Sequence, residues 1–326
     1  MNRYLKSAAL LAVASFAAFS TPAASAAYPD KPIRLIVPFP PGGTTDTVAR
    51  FVAQALSEKL SQQVVVDYKA GAATIIGADF TAKSAPDGYT LMLATATTFT
   101  VNPILYPELS YDPIKSFTPI GLVGTTSLVL LANKKLEPAN DLQTLLAEIR
   151  KDPSKYSYGS HGNGTTVHFA AEMLWSAAKV RITHIPYKGA APALTDLMGG
   201  QIPISFDAVP AAASAIKTGL IKPIAVTGPT RAAAMPDVPT IAESGFPGFS
   251  MQTWFAVVGP AHLPGNVQKT LEKALRAAVD DKTVQAKLVE AGLEPKFEDP
   301  TSYTERVHKE IAALRPIAEA NHIIHN

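Results

Sequence analysis

Ile33-Arg34-Leu35-Ile36-Val37-Pro38-Phe39-Pro40-Pro41-Gly42-Gly43-Thr44-Thr45-Asp46 carries three instructions in one line. Ile33 to Val37 is an apolar run of strand length, the prolines and glycines after it end the strand, and Thr45 or Asp46 is placed to cap a helix. The helix reads on at once, because Val48, Phe51, Val52, Ala55, Leu56 and Leu60 fall on one stripe at helical spacing. Val64-Val65-Val66-Asp67-Tyr68 is then a β-branched strand. Residues 33–68 therefore predict a strand–helix–strand unit, whose crossover is right-handed almost without exception.

The alternation continues outward from this unit. A helix over 75–84, a Pro86-Asp87-Gly88 turn and a strand over 89–94 follow, then a proline-rich connection to Pro119 and an apolar strand over 127–131. A second series begins with a helix over 141–151. Strands at 156–160, 182–185, 202–206 and 221–226 alternate there with helices at 166–178, 191–198 and 210–218. One more buried strand, Trp254 to Val258, is followed by helix to the end, where Ser302 and Glu305 form a capping-box signature and no further strand is expected. Two such series predict an α/β chain of two lobes, each a mainly parallel sheet flanked by helices. Lobe 1 takes residues 27–126 plus 255–326 and lobe 2 takes 127–254, so the chain crosses between lobes twice.

The first 26 residues read differently. Arg3 and Lys6 precede an acid-free apolar stretch from Ala8 to Phe19, and Ala24-Ser25-Ala26 fits a small-residue cleavage site. That is the pattern of a secretory signal peptide, with the mature chain starting near Ala27 in the periplasm or at the cell exterior. Ser15, Ser20, Thr21 and Pro22 break the run below spanning length, so the mature chain is not expected to be membrane-embedded. Arg3 and Lys6 leave with the signal, and 27 basic residues then face 27 acidic ones. Such a balance gives no electrostatic footprint for nucleic acid. With 0 Cys, disulfide frameworks, thiolate metal sites and cysteine nucleophiles are excluded together.

Ligands of open α/β sheets bind beyond the carboxyl ends of strands, which singles out three places. The first is the loop Pro38 to Asp46, where glycines let bare backbone approach a ligand at a helix start whose free N–H groups suit an anion. It reads equally as a tight turn that uses its glycines for its own geometry. The second, Ser160-His161-Gly162-Asn163-Gly164-Thr165-Thr166, repeats the design without Lys or Arg. The third is Asp207 at the end of an apolar strand, facing a cleft or, slightly favoured by the residues alone, capping the helix near Pro210. Ala96 and Thr97, in the segment Ala94 to Thr98, add hydroxyl and backbone donors. Neither glycine loop is a dinucleotide fingerprint or a P-loop, so no cofactor is expected. Tyr158 occupies the first glycine position of a nucleophile elbow around Ser160, and His168 with Glu172 offers two metal ligands where a site needs three or four, so neither a catalytic nor a metal site is expected.

At these loops the chain resembles the Bug, or TctC-type, extracytoplasmic solute receptors, the substrate-binding subunits of tripartite tricarboxylate transporters. The resemblance runs through Tyr28-Pro29-Asp30-Lys31-Pro32-Ile33, Val37 to Gly43 with Asp46, Ala85-Pro86-Asp87-Gly88-Tyr89-Thr90, Asn102-Pro103 with Leu105-Tyr106, Tyr111-Asp112-Pro113 and Phe117-Thr118-Pro119-Ile120. It continues with Gly162-Asn163-Gly164-Thr165-Thr166 and His168, Pro186-Tyr187-Lys188-Gly189, Gly199-Gly200-Gln201 and Phe206-Asp207. The resemblance implies a type II periplasmic binding protein fold that closes on a small organic carboxylate. It also implies delivery to integral membrane subunits of a tripartite transporter. Pro41, Gly42, Gly43 and Thr45 take the role of the first loop, Gly164, Thr165 and Thr166 that of the second, and Asp207 reads the far end of the ligand. Pro40, Ala96, Thr97 and Ser160 complete the expected set. The alternatives are a secreted hydrolase acting on a small carboxylate or ester through Ser160 or His168, and a receptor serving a membrane sensor. The chain departs from the family at Asp67 to Thr74, where glycines are lost from one wall of the cleft, and at Leu314, where the family usually has Trp.

Overall fold

The computed structural model describes residues 28–320 and Ile323. The expected signal segment, residues 1–26, lies outside the described residues. Contacts divide the chain into residues 1–30 and 31–326. Of the first unit Tyr28, Pro29 and Asp30 are described, with a cis bond between Tyr28 and Pro29. The second unit holds the sheet and the helices that flank it.

Ile33–Val37 (β1), Thr44–Leu60 (α1) and Val64–Tyr68 (β2) form the unit read from sequence, with β1 and β2 parallel from Ile33 opposite Val64 to Val37 opposite Tyr68. α1 buries Val48, Val52, Ala55 and Leu56 and ends at Ser61 in the left-handed conformation. Ile75–Ala82 (α2) and Thr90–Thr95 (β3) follow, β3 lying parallel to β1 on its other side. The connection beyond β3 contains a π-turn over Thr97–Val101 running into a short helix, Asn102–Leu105 (α3), which the prolines there do not suggest.

Phe117–Asn133 (β4) is the long strand of the fold. The second series then runs through Leu142–Lys151 (α4), Ser157–Ser160 (β5), Thr166–Ala177 (α5), Thr183–Pro186 (β6), Ala190–Gly199 (α6), Ile204–Ala208 (β7), Val209–Ile216 (α7) and Ile221–Val226 (β8). β5 is parallel to both β6 and β7. Gln252–Pro260 (β9), Gly265–Val279 (α8), Lys282–Glu290 (α9), Glu294–Glu298 (β10) and Pro300–Ala320 (α10) complete the chain. β9 pairs antiparallel with both β3 and β4, and β7 and β8 pair antiparallel with β4. The parallel units expected from sequence are thus joined by two long antiparallel strands into one mixed sheet of order β2-β1-β3-β9-β4-β7-β5-β6.

β4 changes partners part-way. Its pairing with β9 ends at Ser127 opposite Gln252, and its pairing with β7 begins at Leu128 opposite Ala208. Three apolar clusters cover the sheet, one around Met92, Phe99, Phe117, Trp254 and Tyr303, one around Val129, Leu131, Leu197 and Ile221, and one around Leu128, Tyr158, Phe169, Trp175 and Phe206 that also takes in Val101, Ile104, Leu105 and Ala318 from segments before and after the second series. Leu314 is buried in the cluster around Leu128, a packing role.

Four expectations are corrected. The cap of α1 is Gly43, not Thr45 or Asp46. β4 begins ten residues earlier than its apolar half, at Phe117, because Pro119, Gly121 and Gly124 occupy register shifts where a strand tolerates them. A strand does follow Val258: β10 lies antiparallel to β4, and its charges and Pro295 are features of an edge. The last helix starts at Pro300, with Asp299 accepting from the N–H groups of Thr301 (2.9 Å) and Ser302 (3.0 Å) in place of a Ser302 cap.

Candidate functional site

Four helices begin at one place. α1 starts after Gly43, α5 after Thr165, α6 after Gly189 and α7 after Ala208. Gly43, Thr44 and Thr45, then Thr165, Thr166 and Val167, then Gly189 and Ala190, then Ala208 all border a single cavity of about 40 Å³. Each helix start carries N–H groups with no acceptor in its own helix, and the aligned peptide dipoles add partial positive charge there. Among the described residues no lysine or arginine borders this cavity. Main-chain amides are thus its source of positive potential, which suits an anion.

Threonines tie the start of α1 to that of α7 and the start of α5 to the turn after β3. Thr97 Oγ1 accepts the Thr166 N–H at 3.0 Å and lies 2.8 Å from Thr166 Oγ1. Thr44 Oγ1 accepts the N–H of Ala211 in α7 at 3.2 Å. Thr165 caps α5, accepting from the His168 N–H at 3.3 Å, while its hydroxyl donates to Gly162 O at 2.9 Å. Behind the first loop Asp46 Oδ2 accepts the Gly42 N–H at 2.9 Å, and its Oδ1 accepts from the Tyr68 hydroxyl at 2.6 Å and Arg50 Nε at 2.8 Å. Burial raises the Asp46 pKa, but the bonds from Tyr68, Gly42 and Arg50 outweigh it and hold the carboxyl below its usual range. Burial, with the Asp46 carboxylate, pushes the Tyr68 hydroxyl up. The loop is anchored through its acid rather than through a cap residue.

A second cavity of about 510 Å³ adjoins the first, walled by Pro38 to Pro40, Ala70 to Thr74, Tyr106, His161 to Asn163 and Tyr187 to Gly189. In the wall over Ala70 to Thr74, Ala72, Ala73 and Thr74 follow Gly71 in taking positive φ, a backbone that glycine adopts more readily. Asn102 Nδ2 donates to Ala73 O at 2.7 Å and Thr98 Oγ1 to Thr74 Oγ1 at 2.9 Å, fixing that conformation from behind.

Of the residues singled out from sequence, Pro40, Gly43, Thr45, Thr97, Thr165 and Thr166 border the smaller cavity. Pro41, Gly42, Ala96, Ser160, Gly164 and Asp207 border neither cavity. Gly42 donates its N–H to Asp46, and Ala96 is buried backbone before the π-turn. Gly164, at φ +72°, lies so close under Tyr106 that an added Cβ would come within 2.9 Å of the ring carbon Cε2. Asp207 is fully buried and does not cap α7; its Oδ1 takes the N–H of Ala208 at 2.7 Å and its Oδ2 has no partner. Sequence reasoning missed Phe39, His161, Gly189, Ala190 and Phe255 on the smaller cavity, although Phe39, His161 and Gly189 stand inside quoted motifs.

Ser160 Oγ lies 2.6 Å from His184 Nε2, a pair of nucleophile and base type. Ser160 is fully buried, however, and accepts from the Gly162 N–H at 3.1 Å inside its own loop. His184 stacks on His168, ring centres 4.2 Å apart, and His168 Nδ1 accepts the Gly164 N–H at 3.3 Å. These groups stiffen the second loop. Among the described residues no cluster of three or more metal-ligating side chains occurs, and no helix is long and apolar enough to cross a membrane.

A family model described as "Tripartite tricarboxylate transporter family receptor" matches residues 48–323. The chain is 35% identical over 285 residues to Protein BugT of Bordetella pertussis, covering 87% of each. A solved structure titled "Structure of a periplasmic transporter" superposes with a TM-score of 0.88 at 39% identity, covering 91% of this chain and 99% of that one. Rpa4515 of R. palustris, solved with adipate, gives 0.87 at 34% identity over 90% of this chain and 98% of that one. MatC of Rhodopseudomonas palustris, solved with bound malate, gives 0.84 at 29% identity over 89% and 99%. The fold is that of an α/β periplasmic binding protein, and the matching family is one of binding proteins and not of enzymes, which speaks against the hydrolase alternative. The chain belongs to the Bug/TctC family of tripartite tricarboxylate transporter receptors.

Proposed function

We propose that this receptor captures a small organic carboxylate between the starts of α1 and α5 and carries it to the integral membrane subunits of a tripartite transporter. The observation that carries the reading is the meeting of four helix starts on one cavity that no lysine or arginine borders among the described residues. Gly43 to Thr45 and Val167 supply the main-chain donors, and the Thr97 hydroxyl, bonded to the start of α5, stands beside them. The acids bound by Rpa4515 and MatC support the ligand class.

The two-lobe division, 27–126 plus 255–326 against 127–254, is part of this proposal. The exchange of partners along β4 between Ser127 and Leu128, and the start of β9 at Gln252, support it. Ligand contacts made by both lobes at once favour the closed state over the open one. Cleavage near Ala27 releases the mature chain into the periplasm, as the charge and small-residue pattern of residues 1–26 supports.

Thermal shift and calorimetry against mono-, di- and tricarboxylates test the reading. An acid at a hundredfold excess over its dissociation constant stabilises the protein by ~2.7 kcal/mol. A full panel without a binder, or turnover of any member, would contradict it.

A further inference from the structure

We infer that His161, backed by Asp207, reads a hydroxyl substituent on the carbon chain of the bound acid, so that the receptor selects hydroxy acids over their unsubstituted counterparts. This rests on the carboxylate reading above. The smaller cavity, about 40 Å³, has room for an acid group or a few waters and little else. The larger one, about 510 Å³, holds the rest of a ligand. Phe39, Pro40, His161, Thr165 and Gly189 border both and form the neck between them. Any chain attached to the acid passes these five residues.

Their hydrogen-bonding capacity is unequal. Phe39 and Pro40 offer apolar surface, Gly189 has no side chain, and the Thr165 hydroxyl is engaged with Gly162 O and the His168 N–H. His161 is the polar side chain at the neck with capacity left. Its side chain is 11% exposed, and Nε2 lies 3.1 Å from Asp207 Oδ1 without the alignment of a hydrogen bond. Asp207 Oδ2 is buried and also without a partner. Buried polar atoms left in this state are costly, and such groups are few in folded proteins. Nε2 stands on the side of Asp207, 3.1 Å from Oδ1, so Nδ1 is the ring nitrogen left to bond a ligand. A ligand hydroxyl, donor and acceptor both, can bond that nitrogen, and an unsubstituted methylene gains nothing there. Asp207 is thus a positioning residue acting through His161.

Calorimetry with butanoate and its alpha- and beta-hydroxy forms on wild type, His161→Leu, His161→Gln and Asp207→Asn tests this, the readout being the ratio of affinities within one protein. In wild type one hydroxy form is expected to bind about tenfold or more tighter than butanoate, since a site built to bond a hydroxyl rejects the analogue lacking it. His161→Leu brings the ratio close to one, Asp207→Asn lowers it, and His161→Gln, which restores a hydrogen-bonding side chain, keeps part of it. A wild-type ratio near one, or the same ratio in wild type and His161→Leu, overturns the inference while acid binding stands. Should none of the wider set of carboxylates bind wild type, the carboxylate reading falls and this inference with it.

Discussion

Gly164 shows how closely single residues fix the geometry of the second loop. Its φ of +72° and the Tyr106 ring above it leave no space for a side chain. Gly164→Ala costs about 1–2 kcal/mol for the left-handed backbone alone and pushes Tyr106 or the Thr165 helix start aside. We expect carboxylate affinity to fall about tenfold or more, with part of the loss recovered in the Gly164→Ala/Tyr106→Leu double variant; calorimetry on the cycle reads the coupling. Asp46 sets the geometry of the first loop. Its pKa is lower folded than unfolded, so its contribution to stability is fully present above the ordinary value of 3.8 and is lost as the pH falls through the folded value. Tyr68→Phe removes one bond to that carboxylate, and a cost of about 1–2 kcal/mol is expected at neutral pH. Urea unfolding at pH 7 and pH 3 should show the gap between variant and wild type narrowing in acid; a gap that is constant with pH would remove Asp46 from the explanation. Residue types were legible in the sequence here, but partners were not. Asp46 read as a cap, and only the fold shows Tyr68 reaching it from β2.

At the scale of elements, the helix starts act as a group. Thr97, in the π-turn after β3, accepts the first N–H of α5, a bond between two segments far apart in sequence. Thr97→Val keeps the shape and removes the acceptor, leaving a buried N–H unsatisfied at about 1–3 kcal/mol. Chemical denaturation should register that loss, and an unchanged midpoint would mean that water replaces the hydroxyl. Elements built from a single periodic pattern, such as β1, α1, β2 and β8, could be read directly. β10 could not, because an edge strand of alternating charges with a proline has the composition of a loop. The first half of β4 was hidden for a related reason: the Pro119, Gly121 and Gly124 that bend it carry the signature of a turn. The convergence of α6 and α7 on the starts of α1 and α5 is set by sheet order, which no local pattern encodes.

For the whole molecule, β4 is the strand that the two proposed lobes would share. It pairs with β9 and β10 up to Ser127 and with β7 and β8 beyond it. A ligand touching both halves is expected to reduce the radius of gyration in solution scattering, and an unchanged value on saturation would contradict closure about β4 and β9. The lack of lysine or arginine among the described residues at the smaller cavity fits the proposal that recognition relies on fixed backbone dipoles more than on side-chain charge. The most direct measurement is a crystal structure of the receptor with a bound carboxylate. The anion's oxygens are expected ~2.7–3.2 Å from main-chain N–H groups of Gly43 to Thr45 and of Val167, with no cationic side chain on them. An anion paired with lysine or arginine, or seated outside the cavity where the four helices begin, would contradict the account.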